Sequence, residues 1–199
     1  MIKIGVVGVG HLGQYHARKF QSMENATLEG IYDRNPQRAQ EIANALGVRV
    51  YESYNDLLAA CDAVDIAATT TAHYELAKPS LLAGKHIFLE KPITSELFQA
   101  GELLKIAEEK NLKIQVGHIE RFNPVILQVE NDIHDPMFIE STRISTFHHR
   151  GTDVPVVLDL MIHDIDLILS FVNSPVTDIK ASGVGILTPS IDIANARIE

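Results

Sequence analysis

The chain has 199 residues, and its 17 Lys+Arg against 26 Asp+Glu give a net charge of −9. This acidic balance excludes the diffuse basic surface that holds nucleic acid or an anionic membrane, so we expect neither partner. A hydrophobic content of 46% is typical of a globular protein, and a single cysteine excludes a disulfide framework. The amino terminus lacks the features of a signal peptide, and no apolar run approaches the roughly 20 residues of a membrane span, so we expect a cytoplasmic protein.

The first two thirds of the chain alternate short apolar runs with helical patterns. Asn35 and Pro36 start a helix with a cap residue and a first-turn proline, and Gly47 ends it. The other predicted helices start at His11 or cover Tyr54–Ala60, Tyr74–Ala83 and Ser95–Lys110. The predicted strands are Ile2–Val7, Ala26–Tyr32, Val48–Tyr51, Ala63–Thr69, His86–Leu89 and Leu112–Val116. Strands that alternate with helices in this way predict an α/β fold with a doubly wound parallel sheet.

The pattern changes near residue 120. The candidates there are a strand at Phe138–Phe147, an apolar helix at Val156–Phe171, and strands at Val176–Ile186 and Ile191–Glu199. A sheet of so few strands with one helix buries little surface by itself. We therefore expect one domain over residues 1–120 and, over residues 121–199, the amino-terminal part of a second, truncated α/β domain with an open sheet.

A Gly-Val-Gly-His-Leu-Gly segment begins at Gly8, between a predicted strand and a predicted helix. In this pattern Gly8 allows a tight turn, Gly10 lets a pyrophosphate approach the backbone, and Gly13 permits close helix–strand contact. Asp33 lies 20 residues after Gly13, at the end of the second strand, where a carboxylate can bind a ribose 2′-hydroxyl. The pattern predicts a dinucleotide site, against the alternative of a glycine-rich turn without a ligand. Asp33 favours NAD, but the neighbouring Arg34 is suited to the 2′-phosphate of NADP, so NADP is not excluded.

Further polar residues stand at the carboxyl ends of predicted strands, where ligands bind in parallel sheets. Lys91 follows the fifth strand in the sequence Glu-Lys-Pro, and Pro92 favours an extended backbone that fixes its direction. The alternative for Lys91 is a solvated surface charge. Thr69, Thr70 and His73 end the fourth strand on the same side, where they contact a ligand or cap the next helix.

Asp159 and His163 stand four residues apart on one face of an apolar helix, with Asp166 about one turn further along it. A carboxylate that orients an imidazole is suited to general-base chemistry, and the alternative is an ordinary ion pair. A divalent-metal site made of Asp159, His163 and either His148 or His149 is a third reading, but no second ligand motif strengthens it. We therefore predict no metal.

Arg121 and Asn123 lie in the sequence Gly-His-Ile-Glu-Arg-Phe-Asn-Pro, which follows the sixth strand at the junction of the two regions. Arg121 is suited to an anionic group of a substrate. It is equally suited to a structural ion pair with Glu120 or another carboxylate, and the sequence does not choose between these.

Together and in this order, the motifs resemble the glucose–fructose oxidoreductase / inositol dehydrogenase / MocA family across essentially the whole chain. They are the glycine-rich turn, the acidic residue at 33, Glu-Lys-Pro at 90–92, Arg-Phe-Asn-Pro at 121–124 and Asp-x-x-x-His at 159–163. The resemblance implies an NAD(P)-binding Rossmann domain, here residues 1–120, followed by a substrate domain whose open sheet often joins subunits. We therefore expect a homo-oligomer. Family chains usually run well beyond this length, which agrees with an incomplete second domain.

The resemblance also implies an NAD(P)-dependent dehydrogenase that transfers a hydride between a sugar secondary alcohol and nicotinamide. Carried over to this sequence, its catalytic residues are Lys91, Asp159 and His163. His163 removes the hydroxyl proton, Asp159 orients it and Lys91 stabilises the substrate oxygen, although Lys91 and His163 could exchange roles. Arg121 and Asn123 are expected to contact the substrate. The residues expected to contact the cofactor are Gly8, Gly10, His11, Leu12, Gly13, Asp33, Arg34, Thr69, Thr70, His73, Glu90, Lys91 and His118.

Two segments, His-Ile-Glu-Arg-Phe-Asn-Pro at 118–124 and Asp-Leu-Met-Ile-His-Asp-Ile-Asp at 159–166, resemble UDP-N-acetylglucosamine 3-dehydrogenase-type members of the family. This favours C3 of a UDP-N-acetylhexosamine as the reacting carbon, but the fold by itself does not fix the substrate. The alternatives are a polyol or inositol-type dehydrogenase, a non-catalytic NAD-binding regulatory protein, and a metal-dependent hydrolase or isomerase built on Asp159 and His163.

Overall fold

A five-stranded parallel sheet forms the centre of the first part of the chain. The structure is a computed structural model that describes residues 1–146 and 154–199 and separates into two units, Met1–Gly117 and His118–Glu199. The strand order of the sheet is β2-β1-β3-β4-β5, and every neighbouring pair is parallel. The strands are β1 Ile2–Val7, β2 Ala26–Tyr32, β3 Ala63–Ile66, β4 His86–Leu89 and β5 Ile114–Val116. This confirms the predicted α/β class with a parallel sheet.

Helices cover both faces of this sheet, because successive residues of a buried strand point to opposite faces. Val6 of β1 belongs to a buried cluster with Ala17 and Ile42, whereas Val7 belongs to a second cluster with Leu57 and Leu81. The helices of the first unit are α1 Gly13–Gln21, α2 Pro36–Leu46, α3 Tyr54–Ala60, α4 Thr70–Leu82 and α5 Leu97–Glu109. The strand order reverses beside β1, where sheets of this kind bind ligands at the carboxyl ends of their strands.

Several predicted elements of the first unit have other bounds in the structure. Strand β3 ends at Ile66 rather than at Thr69, and β5 begins at Ile114 rather than at Leu112. The predicted strand Val48–Tyr51 contributes only an isolated bridge from Val50 to Ile31, because the chain follows the edge of β2 for one pair and then enters α3. Helix α4 begins at Thr70, before the predicted start. Helix α5 begins at Leu97, after the predicted start.

The second unit contains short helices and one antiparallel pair of strands. Its elements are a 3-10 turn Ile119–Phe122, α6 Pro124–Val129, a 3-10 turn Glu130–Asp132, a π-helical turn Val157–Met161, α7 Ile162–Phe171, β6 Ile179–Val184 and β7 Ile193–Ile198. Strands β6 and β7 pair from Ile179 with Ile198 to Val184 with Ile193. Across the described ranges, no helix has both the length and the apolar character needed to cross a membrane.

Two predictions for the second unit also change. The predicted strand Phe138–Phe147 is wrong where the structure describes it, because residues 138–146 form neither helix nor strand, and Phe147 lies outside the described residues. Residues 138–146 are mostly exposed, and no strand among the described residues pairs with them. The predicted helix Val156–Phe171 is a π-helical turn followed by α7 rather than one regular helix.

Candidate functional site

The glycine-rich turn between β1 and α1 has the shape that a dinucleotide requires. Gly8 has a φ of +83°, and a Cβ there would lie 2.9 Å from the backbone nitrogen of Ala68. A Cβ on Gly13 would overlap the carbonyl oxygen of Gly8. Gly10 is exposed, and nothing lies within 4 Å of the position its Cβ would take. The turn is therefore closed on the protein side and open where a pyrophosphate would approach.

Asp33 is held beside this turn. Its Oδ2 accepts a hydrogen bond of 2.8 Å from the N–H of Val9, and its Oδ1 accepts one of 2.8 Å from the N–H of Asn35. Arg38 also contacts the turn, because its Nε donates to the carbonyl of Val9 at 3.0 Å. A carboxylate offers about four acceptor positions, so two contacts leave capacity for ribose hydroxyls. Arg34 is exposed next to it. These residues fit the adenosine half of a nicotinamide dinucleotide.

His73 has a different place from the one predicted for it. Its ring is 1% exposed, with Nδ1 2.8 Å from the carbonyl oxygen of Pro92 and Nε2 3.2 Å from that of Ala68. These contacts tie α4 to the turns that follow β3 and β4, so His73 fixes these two turns relative to each other. Thr69 occupies the N-cap position of α4, but its side chain makes no cap hydrogen bond. Thr70 is buried in the first turn of that helix.

The Glu-Lys-Pro segment leaves the sheet at the carboxyl end of β4. The N–H of Glu90 donates to the carbonyl of Ile66 at 3.0 Å, which continues the pairing with β3. Glu90 Oε2 then accepts the backbone N–H of Lys91 at 3.2 Å. Lys91 is half-buried. The structure thus places Lys91 at the same edge of the sheet as the glycine-rich turn, as the chain order predicted.

Sequence reasoning missed two ionisable residues behind this edge. Asp65 lies in β3 and is 0% exposed, and its Oδ2 is 2.9 Å from Nδ1 of His16 in α1. The other ring nitrogen of His16, Nε2, is 3.4 Å from Oε1 of Glu90. The signal that could have found them is the carboxylate in the otherwise apolar strand Ala-Val-Asp-Ile, since a charge in a buried strand needs a partner.

The charges of this group are strongly coupled. Burial disfavours the imidazolium, but hydrogen bonds to Asp65 and Glu90 outweigh it and raise the pKa of His16 to about 10. Burial also raises the pKa of the Asp65 carboxyl, against the effect of His16. Burial acts against ionisation of Glu90 as well, yet the hydrogen bond from His16 lowers the pKa of Glu90. His16 is therefore a cation at neutral pH, and it lies between the ionised Glu90 and the buried carboxyl group of Asp65.

In the second unit, Asp166 of α7 lies close to Arg121, which was predicted to contact the substrate, and to His118, which was predicted to contact the cofactor. Arg121 donates from Nε and Nη2 to its two carboxylate oxygens at 2.7 and 2.6 Å. Nδ1 of His118 lies 3.8 Å from Asp166 Oδ2. Burial opposes ionisation of Asp166, but the hydrogen bond from Arg121 and the charges of His118 and His163 lower its pKa. Of the two roles open to Arg121 in the sequence, the structure shows the ion pair.

Asn123 also has structural partners. Its Oδ1 accepts the N–H of Val125 at 3.0 Å, which caps α6, and its Nδ2 donates to Glu120 at 3.2 Å. Arg143 donates to Asp164 of α7 at 2.9 Å and reaches Glu120 at 3.5 Å. Asn123, which was predicted to contact the substrate, therefore caps α6 and links it to Glu120 in the preceding turn.

Asp159 and His163 lie on different helical elements, which was not predicted. Asp159 belongs to the π-helical turn, and His163 belongs to the first turn of α7. Both are half-buried. A π turn inserts an extra residue into the helix and frequently occurs at functional sites. Within residues 1–146 and 154–199, no group of three His, Cys, Asp or Glu side chains is arranged to hold a metal ion, and His148 and His149 lie outside those ranges.

Comparisons with known proteins agree with this geometry. The family model described as "Oxidoreductase family, NAD-binding Rossmann fold" matches residues 2–118. The chain is 38% identical over 196 residues to UDP-N-acetylglucosamine 3-dehydrogenase of Acidithiobacillus ferrooxidans, a match that covers 98% of this chain and 62% of that protein. A solved structure of that enzyme has a TM-score of 0.91 at 37% identity and covers 99% of this chain and 65% of the other.

A second solved structure adds a bound cofactor. It is scyllo-inositol dehydrogenase of Lactobacillus casei with NAD(H) and scyllo-inositol, at 25% identity, with a TM-score of 0.81, covering 100% of this chain and 66% of the other. The chain thus spans about two thirds of the length of these relatives. The predicted resemblance is confirmed, and the chain belongs to the glucose–fructose oxidoreductase / inositol dehydrogenase / MocA family of oxidoreductases, which has an NAD-binding Rossmann fold.

Proposed function

We propose that the protein is an NAD(P)-dependent dehydrogenase that transfers a hydride between a secondary alcohol of a sugar and nicotinamide. The observation that carries the proposal is the glycine-rich turn with Asp33 fixed beside it by the N–H of Val9. When bound, the nicotinamide would accept or return the hydride. Membership of an NAD-binding oxidoreductase family supports the choice of cofactor, and Asp33 favours NAD over NADP.

Three side chains are proposed to handle the proton and the charge on the substrate oxygen. His163 removes the hydroxyl proton, a task suited to imidazole because it titrates near neutral pH. Asp159 orients His163, and Lys91 donates a hydrogen bond to the substrate oxygen where negative charge develops. If Lys91 and His163 exchange these roles, the pH profile of kcat should change on substitution of Lys91 rather than of His163.

The proposed substrate is a UDP-N-acetylhexosamine, oxidised at C3. The support is the 38% identity to an enzyme named UDP-N-acetylglucosamine 3-dehydrogenase. The second candidate is a free cyclic polyol, which is favoured by the likeness to a dehydrogenase that holds NAD(H) and scyllo-inositol. Arg121 is proposed to orient α7 through Asp166 rather than to bind the substrate directly, because its Nε and Nη2 already donate to that carboxylate.

The test is NADH formation by the purified full-length protein with UDP-N-acetylhexosamines, free inositols and unphosphorylated hexoses, each with NAD and with NADP. We expect turnover of a UDP-N-acetylhexosamine with NAD. Turnover of a free inositol alone would show that the proposed substrate is wrong and would support the proposed type of reaction. NAD binding without turnover of any alcohol, unchanged by Lys91→Ala, would favour a non-catalytic NAD-binding protein.

Two broader features are proposed with this function. Strands β6 and β7 carry exposed Ile179, Val184 and Ile193, and we propose that their sheet takes part in a homo-oligomer. Sedimentation of the full-length protein tests this. We also propose a cytoplasmic location, which cell fractionation tests.

A further inference from the structure

Both neighbours of Lys91 in the sequence are held by histidines. Glu90 Oε1 lies 3.4 Å from Nε2 of His16, while Glu90 Oε2 accepts the N–H of Lys91 at 3.2 Å. On the other side, the carbonyl oxygen of Pro92 lies 2.8 Å from Nδ1 of His73. The backbone around Lys91 is therefore anchored to α1 on one side and to α4 on the other.

Gly117 leaves room for the Glu90 carboxylate. A Cβ at this position would lie 2.9 Å from Oε1 of Glu90, closer than a carbon and an oxygen approach without a bond. The N–H of Gly117 donates to the carbonyl of Leu89 at 2.8 Å, so the backbone at 117 is itself tied to β4. The carboxylate thus has a defined place between the ring of His16 and the backbone of Gly117.

Asp65 determines how His16 reaches Glu90. A neutral imidazole has one N–H and can donate to one carboxylate only, whereas the imidazolium donates from both nitrogens. With Nδ1 bound to Asp65, the charged ring directs Nε2 to Glu90. Among the described residues, Oδ1 of Asp65 has no hydrogen-bond partner, although the side chain is fully buried. An apolar residue in β3 would avoid this cost, so folding alone does not explain a carboxylate there.

We propose that Asp65, His16 and Glu90 are positioning residues for Lys91. The imidazolium of His16 fixes the Glu90 carboxylate, and that carboxylate fixes the backbone N–H of Lys91, which sets where its side chain starts. The proposal rests on the function proposed above, because it concerns the step that Lys91 performs. Asp65 and His16 act only through Glu90, and none of the three is assigned a contact with the substrate. Glu90 was expected to contact the cofactor, but the proposal assigns its two carboxylate oxygens to His16 and to the N–H of Lys91 instead.

Two substitutions disturb the Glu90 carboxylate in different ways. Glu90→Gln removes its charge and keeps its shape, whereas Gly117→Ala keeps the charge and displaces the carboxylate. The matched controls are Glu102→Gln, which removes a half-buried carboxylate paired with Lys78, and Gly101→Ala, where nothing lies within 4 Å of the new Cβ. We expect kcat to fall between about tenfold and 100-fold in both test variants, with the Kd for NAD within about twofold of the parent protein and the controls unchanged.

The coupling to Lys91 separates positioning from a general structural effect. In a Lys91→Ala background, Glu90→Gln and Gly117→Ala should lower kcat no further, because the side chain they position is gone. A multiplicative fall there, or a parallel loss of NAD affinity, would overturn the proposal. So would an unchanged kcat in both test variants.

Amide hydrogen exchange provides a readout that needs no activity. Glu90→Gln and Gly117→Ala should raise the exchange rate of the Lys91 amide by about tenfold, as expected for a weakened hydrogen bond to a charged acceptor, and the controls should not. If Lys91→Ala retains full turnover, the role of Lys91 in the proposed function fails. Faster exchange in the test variants would then show that the anchoring of the segment is real but serves no catalytic step, which refutes the positioning proposal separately.

Discussion

Raising the pH above neutrality should destabilise the first unit through His16. The folded protein raises the pKa of this imidazole from 6.5 to about 10, because its hydrogen bonds to Asp65 and Glu90 outweigh the effect of burial. Between these two values the folded state holds a proton that the unfolded state releases. The stabilisation is therefore complete below about pH 6.5 and is lost as the pH rises towards about 10.

The size of the effect follows from proton linkage. When the folded state holds one proton more than the unfolded state, the free energy of unfolding falls by about 1.4 kcal/mol for each pH unit. We expect a loss of about 2 kcal/mol between about pH 7 and about pH 8.5, where the unfolded imidazole is largely neutral. Burial also raises the pKa of the Asp65 carboxyl and of the Cys61 thiol. Each raised pKa adds a fall of the same sign, and that of Cys61 acts at the upper end of this range.

Urea unfolding followed by tyrosine fluorescence measures this in the first unit alone. The sequence has five tyrosines and no tryptophan, and all five tyrosines lie before Gly117. The matched variant is His16→Gln/Asp65→Asn, which removes both ionisable groups and nearly keeps the shape of each side chain, while Cys61 still titrates. His11→Gln removes an exposed histidine and should keep the slope of the parent protein. An equal slope in the double variant and in the parent protein would refute a charged His16.

Four further substitutions test the candidate site. Gly13→Ala should lower the free energy of unfolding by about 2 kcal/mol, because the new Cβ overlaps the Gly8 carbonyl. Gly10→Ala should leave the free energy of unfolding unchanged and weaken NAD binding, because its Cβ meets no protein atom. Thermal unfolding measures the stability of each variant, and NAD titration measures its affinity. Asp33→Asn should raise the Kd for NAD by about tenfold and reduce the preference for NAD over NADP. Unchanged binding of both cofactors would show that Asp33 does not contact the ribose. His163→Ala should lower kcat by at least about 100-fold at constant NAD affinity, and an equal loss of both would remove its catalytic role.

Local patterns in the sequence were sufficient to predict that the strands of the parallel sheet exist and where along the chain they lie. Strand Ile2–Val7 is an almost continuous apolar run whose last four residues are buried. Helix α2 begins with the predicted Asn35 cap and ends at Gly47, which has a φ of +67°. The edge segment Val48–Tyr51 was mispredicted because a strand and a single bridge have the same local composition. The position of the segment relative to β2 determines how many residues of the segment form bridges, and this position is not encoded in its local composition.

The partners of the charged residues could not be predicted, because they come from distant parts of the chain. Asp65 and His16 are 49 positions apart, and Arg121 and Asp166 are 45 apart. The sequence indicates only that a buried carboxylate needs a cation, not which one. The π-helical turn at Asp159 was missed for a related reason, since one extra residue in a turn leaves the apolar character of the segment unchanged.

The engagement of Arg121 bears on how a nucleotide sugar could be recognised. Two of its nitrogens donate to Asp166, so binding a diphosphate through them would require that bidentate pair to break and would leave the Asp166 carboxylate without its main partner. As long as the pair holds, Asp166 remains an anion near His163, where it would stabilise the imidazolium if His163 acts as the proposed base. The pair is thus better suited to supporting the proposed base than to binding the substrate, and any diphosphate must be held by other cations.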